Sequence, residues 1–319
     1  MSTDENNECL SESYRKIYFP KPFLKWVGGK TQIIEKLIKN FPKKINNYHE
    51  IFLGGGSVLF ALLSFIKEGL IKLNGKVYAY DLNESLIHVY KNIQKNPIDV
   101  FNKVEELIND FQKCVGTEVN RNPVSIDDAK QSKENYYYWI RHNYNSLDRN
   151  GKNSINGSAM FIFLNKNCFR GLFRIGPNGF NVPYGNYVNP EIINKYHIME
   201  IHELIQCVIF KNSDFTESFK NVNEYDYVYL DPPYYSDNNN SFVKYTENGF
   251  TLEQHENLFS YSSNFYNNNI QMMMSNSDTE LVINYFDNDK HKIVQINAKR
   301  TINSKKPNAM AKELIIKNY

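Results

Sequence analysis

Two kinds of apolar pattern share this chain. Short runs dense in apolar and aromatic residues, without helical period, occur at Tyr48–Leu53, Lys76–Tyr80, Cys207–Lys211, Tyr227–Leu230, Ile270–Ser275, Lys292–Ile296 and Leu314–Lys317. Such runs predict strands of a sheet covered on both faces. Between them, apolar residues three and four apart predict helices. Ile33, Ile34, Leu37 and Ile38 share one face of a helix that stops before Pro42. Further helices are expected from Ser57, as cap, through Glu68, from Glu84, over Leu252–Phe265 and near Glu280. Strand and helix in turn give an α/β class. From Leu86 to about Met199 the pattern changes to helices, at Ile98–Phe111, Glu134–Asn145 and Ala159–Leu164. A polar stretch without period, Lys113–Lys133, reads as a surface insertion. Two aromatic-rich runs around Gly176-Pro177-Asn178-Gly179 then read as a β-hairpin. The expected organisation is a flexible tail over 1–20, one sheet domain from 21–85 and 200–319, and an inserted unit over 86–199.

Composition narrows the class. Four cysteines (Cys9, Cys114, Cys168 and Cys207) lie far apart, which argues against a zinc site or a disulfide framework and for a reducing, intracellular compartment. The first residues are polar and acidic, unlike a signal peptide. The longest apolar stretch, Val58–Ile66, is too short to cross a bilayer, so no membrane partner is expected. With 37 basic against 35 acidic residues, bulk charge does not announce a nucleic-acid partner. Its distribution does more: Arg149–Pro190 and Lys290–Lys312 contain no acid, and the first block interleaves Arg149, Lys152, Lys166, Arg170 and Arg174 with aromatics. Such blocks are usually solvated surface, but two of them favour a phosphate-backbone partner.

The candidate chemistry centres on Asp226-Tyr-Val-Tyr-Leu-Asp231-Pro232-Pro233-Tyr234-Tyr235. Proline cannot donate to a sheet ladder and holds the residue before it extended, so Asp231 and Tyr234 are expected to project from a stiff turn at a strand's carboxyl end. Open α/β sheets bind ligands there. An acceptor carboxylate beside an aromatic ring suits a flat heterocycle bearing an amino group; the plain alternative is a proline-rich turn whose acid caps the next segment. Gly28-Gly29-Lys30-Thr31 resembles the end of a phosphate-binding loop, but Leu24 stands where that loop needs glycine, which excludes the nucleoside-triphosphatase reading. Gly54-Gly55-Gly56 between strand and helix, with Asp81 ending the next strand, forms a dinucleotide-type crevice in which Asp81 either holds ribose hydroxyls or caps a helix.

Phe23–Lys30, Phe52–Gly56, Tyr80–Asn83, Leu164–Gly185, Asp231–Tyr234, Phe250–Gln254 and Ser275-Asn276 occur in the order of one family. From about Phe23 onward the chain resembles the Dam-type N6-adenine DNA methyltransferases, of the D12 class and alpha group. The resemblance implies a Rossmann-like class I S-adenosylmethionine-dependent fold, with a mixed, mostly parallel seven-stranded sheet and an inserted helical target-recognition domain carrying the hairpin. It implies catalysis at Asp231, Pro232, Pro233 and Tyr234. The cofactor, S-adenosylmethionine and no metal, would meet Trp26, Lys30, Phe52, Gly54, Gly56, Asp81, Asp214, Phe215 and Asp231. Lys25, Arg174 and Pro183 match base-contacting positions, with Leu172 beside them; Arg170 is counted with these DNA-binding residues, and Phe169 matches an aromatic that fills the place of an extruded base. The partner would be double-stranded DNA at a short, GATC-like palindrome, met by a monomer or weak dimer.

Ile51 replaces the family's usual proline, which is tolerable; Arg170 replaces a smaller polar residue and the hairpin turn is slightly shorter, which touches the recognition sequence. The acid at the head of Asp231-Pro-Pro-Tyr disfavours cytosine and protein amide targets. Amine methylation of RNA or protein, and a DNA-binding module without catalysis, are the remaining alternatives. A restriction endonuclease partner, a viral genome and a chromosomal mark remain equally compatible.

Overall fold

The computed structural model describes residues 17–188, 190–235, 250–299 and 310–319. Residues 1–16 of the expected 1–20 tail, the Asn-containing stretch around Asn238, and Arg300, Lys305 and Lys306 lie outside the described residues. A seven-stranded sheet is built from β1 (Tyr48–Glu50), β2 (Val77–Asp81), β3 (Val208–Asn212), β4 (Tyr227–Leu230), β5 (Gln271–Ser277), β6 (Lys292–Lys299) and β7 (Met310–Lys317). Their spatial order is β6-β7-β5-β4-β1-β2-β3. β7 runs antiparallel to both its neighbours and the other pairings are parallel. From β1 the chain winds outward to β2 and β3, and from β4 the other way to β5. The crevice between the carboxyl ends of β1 and β4 is therefore a topological switch point, where such sheets bind ligands.

Burial explains the apolar runs. All four residues of β4 are buried. Tyr227 and Tyr229 enter the core on one face, while Val228 and Leu230 enter the core on the other. The same alternation sends Met273 and Ile315 to the first face and Met272, Met274, Leu314 and Ile316 to the second. On the first face lie the helices Ile34–Lys39, Ser57–Lys67 and Glu84–Lys95, and their core continues without a break into that of the inserted helices through Val100, Phe111, Tyr137 and Phe163. The inserted segment thus rests directly on the sheet's helical layer.

Several expectations shift. β1 ends at Glu50, three residues before the expected Leu53, because the chain turns toward the glycines at Ile51. Ser57 is the first helical residue rather than the cap; Gly56, with φ of 74°, holds the cap position. The expected Ala159–Leu164 helix spans Ile155–Asn167, with Ser154 accepting from the Gly157 N–H. Lys113–Lys133 contains a five-residue helix, Ile126–Lys130, capped by Ser125. The helix Lys195–Leu204, capped by Asn194, was not anticipated. The hairpin is present: Ile175–Gly176 pairs with Gly179–Phe180, leaving Pro177 and Asn178 at the tip.

Candidate active site

β4 delivers Asp231 to the switch point. The Lys30 ammonium lies 2.7 Å from Asp231 Oδ1 and donates to the Gly28 carbonyl at 2.6 Å. Lys30 is only 3% exposed, so its charge is committed to these two acceptors rather than to solvent. A short 3-10 turn, Lys30–Gln32, aims it there, anchored by the Lys30 backbone N–H on the Ser57 hydroxyl. The same ammonium lies 4.8 Å from the centre of the Tyr234 ring, and the Tyr234 hydroxyl donates to Glu313 Oε2 at 3.1 Å. Burial pushes the Asp231 carboxyl up to about 6; Lys30 opposes this by charge and hydrogen bond, and the Glu313 charge adds to it. Nearby at the end of β1, Glu50 accepts from the Tyr48 hydroxyl at 2.7 Å. Burial pushes Glu50 up to about 8; the Tyr48 bond opposes the rise and the Asp231 charge adds to it, so this acid is largely neutral at pH 7. The turn's far side is tied down by Ser277, whose hydroxyl donates to the Tyr235 carbonyl at 2.7 Å.

The glycine turn lies on the other side of β1. A Cβ at Gly54 would stand 2.8 Å from two atoms of the Trp26 indole, and one at Gly56 would stand 2.8 Å from the Tyr90 hydroxyl. Side chains are thus sterically excluded where the chain also needs positive φ. Asp81 fixes the turn: its Oδ2 accepts from the Gly54 N–H at 2.9 Å and its Oδ1 from the Asn83 N–H at 2.9 Å. The cap of the following helix is Asn83, not Asp81. Burial raises the Asp81 carboxyl above its ordinary range, and those two N–H donors oppose the rise. At the end of β3, Asp214 caps the helix Phe215–Phe219, and the Phe215 ring meets Phe52 at 6.2 Å and Phe250 at 5.8 Å between centroids.

Lys25 and Trp26, adjacent in sequence, face two different neighbourhoods. Trp26 stacks on Phe173 at 5.9 Å and closes over Gly54. Asn165 braces the Lys25 backbone at both N–H and carbonyl, and the Lys25 ammonium donates to the Lys166 carbonyl at 2.9 Å beneath the Tyr187 ring, 3.7 Å from its centre. Gly171, at positive φ, packs on the Lys25 side chain. Phe169 is 44% exposed, and the Arg170 guanidinium covers its ring at 5.1 Å. Arg170 itself holds a left-handed backbone with φ of 58°, and its N–H donates to the Tyr187 hydroxyl at 2.7 Å. Arg174 and Pro183 are exposed and Leu172 half-buried along the same arm. The hairpin is fixed from below, where Asn145 exchanges hydrogen bonds with both backbone groups of Phe180 and Tyr137 donates to the Val182 carbonyl.

Contacts thus join Lys30 with Asp231 and Tyr234, Trp26 with Gly54, Gly54 with Asp81, and Phe52 with Phe215. Lys25, Phe169, Arg170, Leu172, Arg174 and Pro183 occupy a separate arm reached through Lys25 and Phe173. Sequence reasoning missed Glu313 and Tyr187, which touch the motif residues from elsewhere in the chain.

The strand order, with β7 reversed, is that of the class I S-adenosylmethionine-dependent methyltransferases, and the acid-proline-proline-aromatic turn stands at their ligand-binding edge. Residues 26–302 match the model of the D12 class N6 adenine-specific DNA methyltransferases, and the chain belongs to that family. It is 34% identical to the type II methyltransferase M.MjaIII of Methanocaldococcus jannaschii, over 94% of this chain and 99% of that protein. It is 31% identical to the type II methyltransferase M1.LlaDCHI of Lactococcus lactis, over 94% and 95% of the two chains, and 29% identical to the DNA adenine methylase of Haemophilus influenzae, over 92% of each. The protein is an adenine-specific DNA methyltransferase. No helix among its described residues is long and apolar enough to cross a membrane.

Proposed function

We propose that the protein transfers the methyl group of S-adenosylmethionine to N6 of an adenine in a short duplex palindrome with outer G·C pairs, GATC-like, acting as a monomer or weak dimer on the DNA. The observation that carries this reading is the Asp231 carboxylate, poised at the switch point between a buried ammonium and an aromatic ring. The residues present fit the cofactor: a glycine turn that Cβ atoms would block, the Asp81 carboxylate at its side, and the Phe52–Phe215 wall. When bound, the cofactor would supply an electrophilic methyl on a cationic sulfur: as the bond from N6 to the methyl forms, the sulfur–methyl bond breaks, S-adenosylhomocysteine leaves, and the amine's surplus proton passes to solvent.

The exocyclic nitrogen of adenine is a poor nucleophile because its lone pair is delocalised into the ring. Asp231 and the Pro232 carbonyl accept its two N–H bonds and turn the remaining lone pair toward the methyl, while Tyr234 stacks on the base. Lys30 keeps the Asp231 carboxyl ionised against its burial, so that it accepts rather than donates. A base inside a duplex cannot reach this pocket, so it is flipped out, and Phe169, exposed on the arm, fills the gap. Lys25 and Arg174 suit guanine edges, Leu172 and Pro183 offer apolar contact, and Arg170 adds charge to the same arm. The proposed division makes 86–199 the recognition unit and the sheet the catalytic one.

Incubating the protein with labelled S-adenosylmethionine and long unmethylated DNA, then mapping the product at single-base resolution, tests the proposal. Methyladenine confined to one palindrome is expected. Incorporation into cytosine, or only into RNA, overturns it.

A further inference from the structure

The proposed reaction needs the Tyr234 ring in one orientation; the Tyr234 side chain interacts with Asp231, and two further contacts hold it. The Lys30 ammonium approaches the ring, and Glu313 accepts the hydroxyl proton at 3.1 Å. Glu313 belongs to β7, where its backbone is paired with Ser277 of β5 on one side and Ile296 of β6 on the other. Because β7 runs against its neighbours, its early residues lie at the carboxyl end of the parallel strands. This reversal brings a residue 79 positions along the chain to the catalytic turn. The plain reading is a half-buried acid that has found a hydroxyl. Yet its charge also acts on Asp231, setting two carboxylates near the single ammonium of Lys30. A like-charge arrangement at a buried site is unfavourable on its own, and a fold gains nothing from it that a neutral acceptor would not give.

We infer that Glu313 is a positioning residue of the methyl-transfer site: through the Tyr234 hydroxyl it fixes the tilt of the ring on which the flipped adenine stacks, and so the place of the amino group at Asp231. This rests on the proposed reaction. Rings on a two-bond side chain swing when one end is released, and loss of alignment lowers turnover rather than cofactor binding.

The test is a set of four variants, Glu313→Leu, Glu313→Gln, Tyr234→Phe and the Leu/Phe double substitution, assayed for methyl transfer, cofactor affinity and thermal unfolding. Glu313→Leu is expected to lower kcat about tenfold with cofactor affinity and melting unchanged. Glu313→Gln, which still offers an oxygen acceptor, restores most of that loss. In a Tyr234→Phe background the Leu substitution costs nothing further, since no hydroxyl remains to be held. Wild-type kcat in Glu313→Leu, or the same additional loss with and without the Tyr234 hydroxyl, overturns the inference. Should the wild type transfer no methyl to adenine, the proposed function fails separately. The contact is then judged by the Tyr234 ring-carbon resonance in 13C-tyrosine-labelled protein, identified with Tyr234→Phe, which moves in Glu313→Leu if the contact exists and stays if it does not.

Discussion

Asp226 and Asp231 bracket the same four-residue strand, β4, and their surroundings are opposite. Asp226, at the entry, is fully buried and richly hydrogen-bonded. His49 Nε2 lies 3.0 Å from its Oδ2, the Asn223 N–H donates to Oδ2 at 2.9 Å, and Asn46 and Asn47 donate to Oδ1 at 3.0 and 2.8 Å. Burial alone would raise its carboxyl, but bonds from His49, Asn223 and Asn47 overcome this and hold it at about 2. Asp231, at the exit, meets the Lys30 ammonium, the Tyr234 side chain and the charge of Glu313, and burial prevails there, lifting it to about 6. One acid has its acceptor capacity taken up by the protein, and the other keeps capacity for the amine that the proposed reaction brings to it. The first ties the amino end of the sheet together; the second is held in readiness at a cost to stability.

Exchanging the two for alanine separates those roles. Asp231→Ala is expected to reduce methyl transfer by at least ~10³-fold while circular dichroism still reports the fold; melting falls as well, since the buried Lys30 ammonium loses its counter-charge and keeps the Gly28 carbonyl. Transfer at wild-type rates would remove Asp231 from the chemistry. Asp226→Ala should leave His49, Asn46 and Asn47 donors unpaired in the interior and lower stability by about 3 kcal/mol, with kcat per folded molecule retained. Denaturant unfolding checks it, and an unchanged midpoint would mean that water repairs the gap.

The smallest effect is the dependence on pH. Asp231 accepts only as a carboxylate, so kcat should be level above its folded value of about 6 and fall toward tenfold per unit below it. The fold should persist through that fall. Asp231 titrates higher folded than unfolded, so protonation favours the folded state as pH drops from about 6 toward 4. Asp226 titrates lower folded than unfolded, so its contribution is complete above about 4 and is lost only as pH falls toward 2. Parallel rate and circular dichroism profiles check the separation; coincident transitions would mean that one ionisation governs both rate and fold.

Much of the sheet was legible because burial on both faces leaves unbroken apolar runs, as at Tyr227–Leu230. Asp231 and Tyr234 were legible because two prolines dictate where a strand stops. Asp226 was quoted as the first residue of that run but its role was hidden, since His49, Asn46 and Asn47 lie 177 to 180 residues away and only the parallel pairing of β1 with β4 brings them together. Glu313 was hidden for the same reason, by the reversal of β7. The helix Lys195–Leu204 carries Tyr196, His197, Glu200 and His202 among its apolar positions, which blurs the helical period. Ser57 misled because serine is a common cap, whereas here its hydroxyl serves the Lys30 backbone.

The arm proposed to read the DNA is anchored in a way that bears on how its specificity could change. Its anchors are main-chain atoms: Asn145 holds both backbone groups of Phe180, Tyr137 and Arg141 share the Val182 carbonyl, and the Phe169 N–H donates to Pro183. Those bonds are indifferent to the side chains at positions 172 and 174. On the proposed reading, exchanging exposed residues such as Arg174 changes the cognate word on an unchanged scaffold, whereas half-buried Leu172 is constrained by the core it packs on. Position 170 is a second exception, because its left-handed backbone favours glycine, asparagine or aspartate and admits arginine at a strain. The alphabet open to evolution, or to an engineer relabelling a genome, is thus wide along the arm and narrow at those two letters.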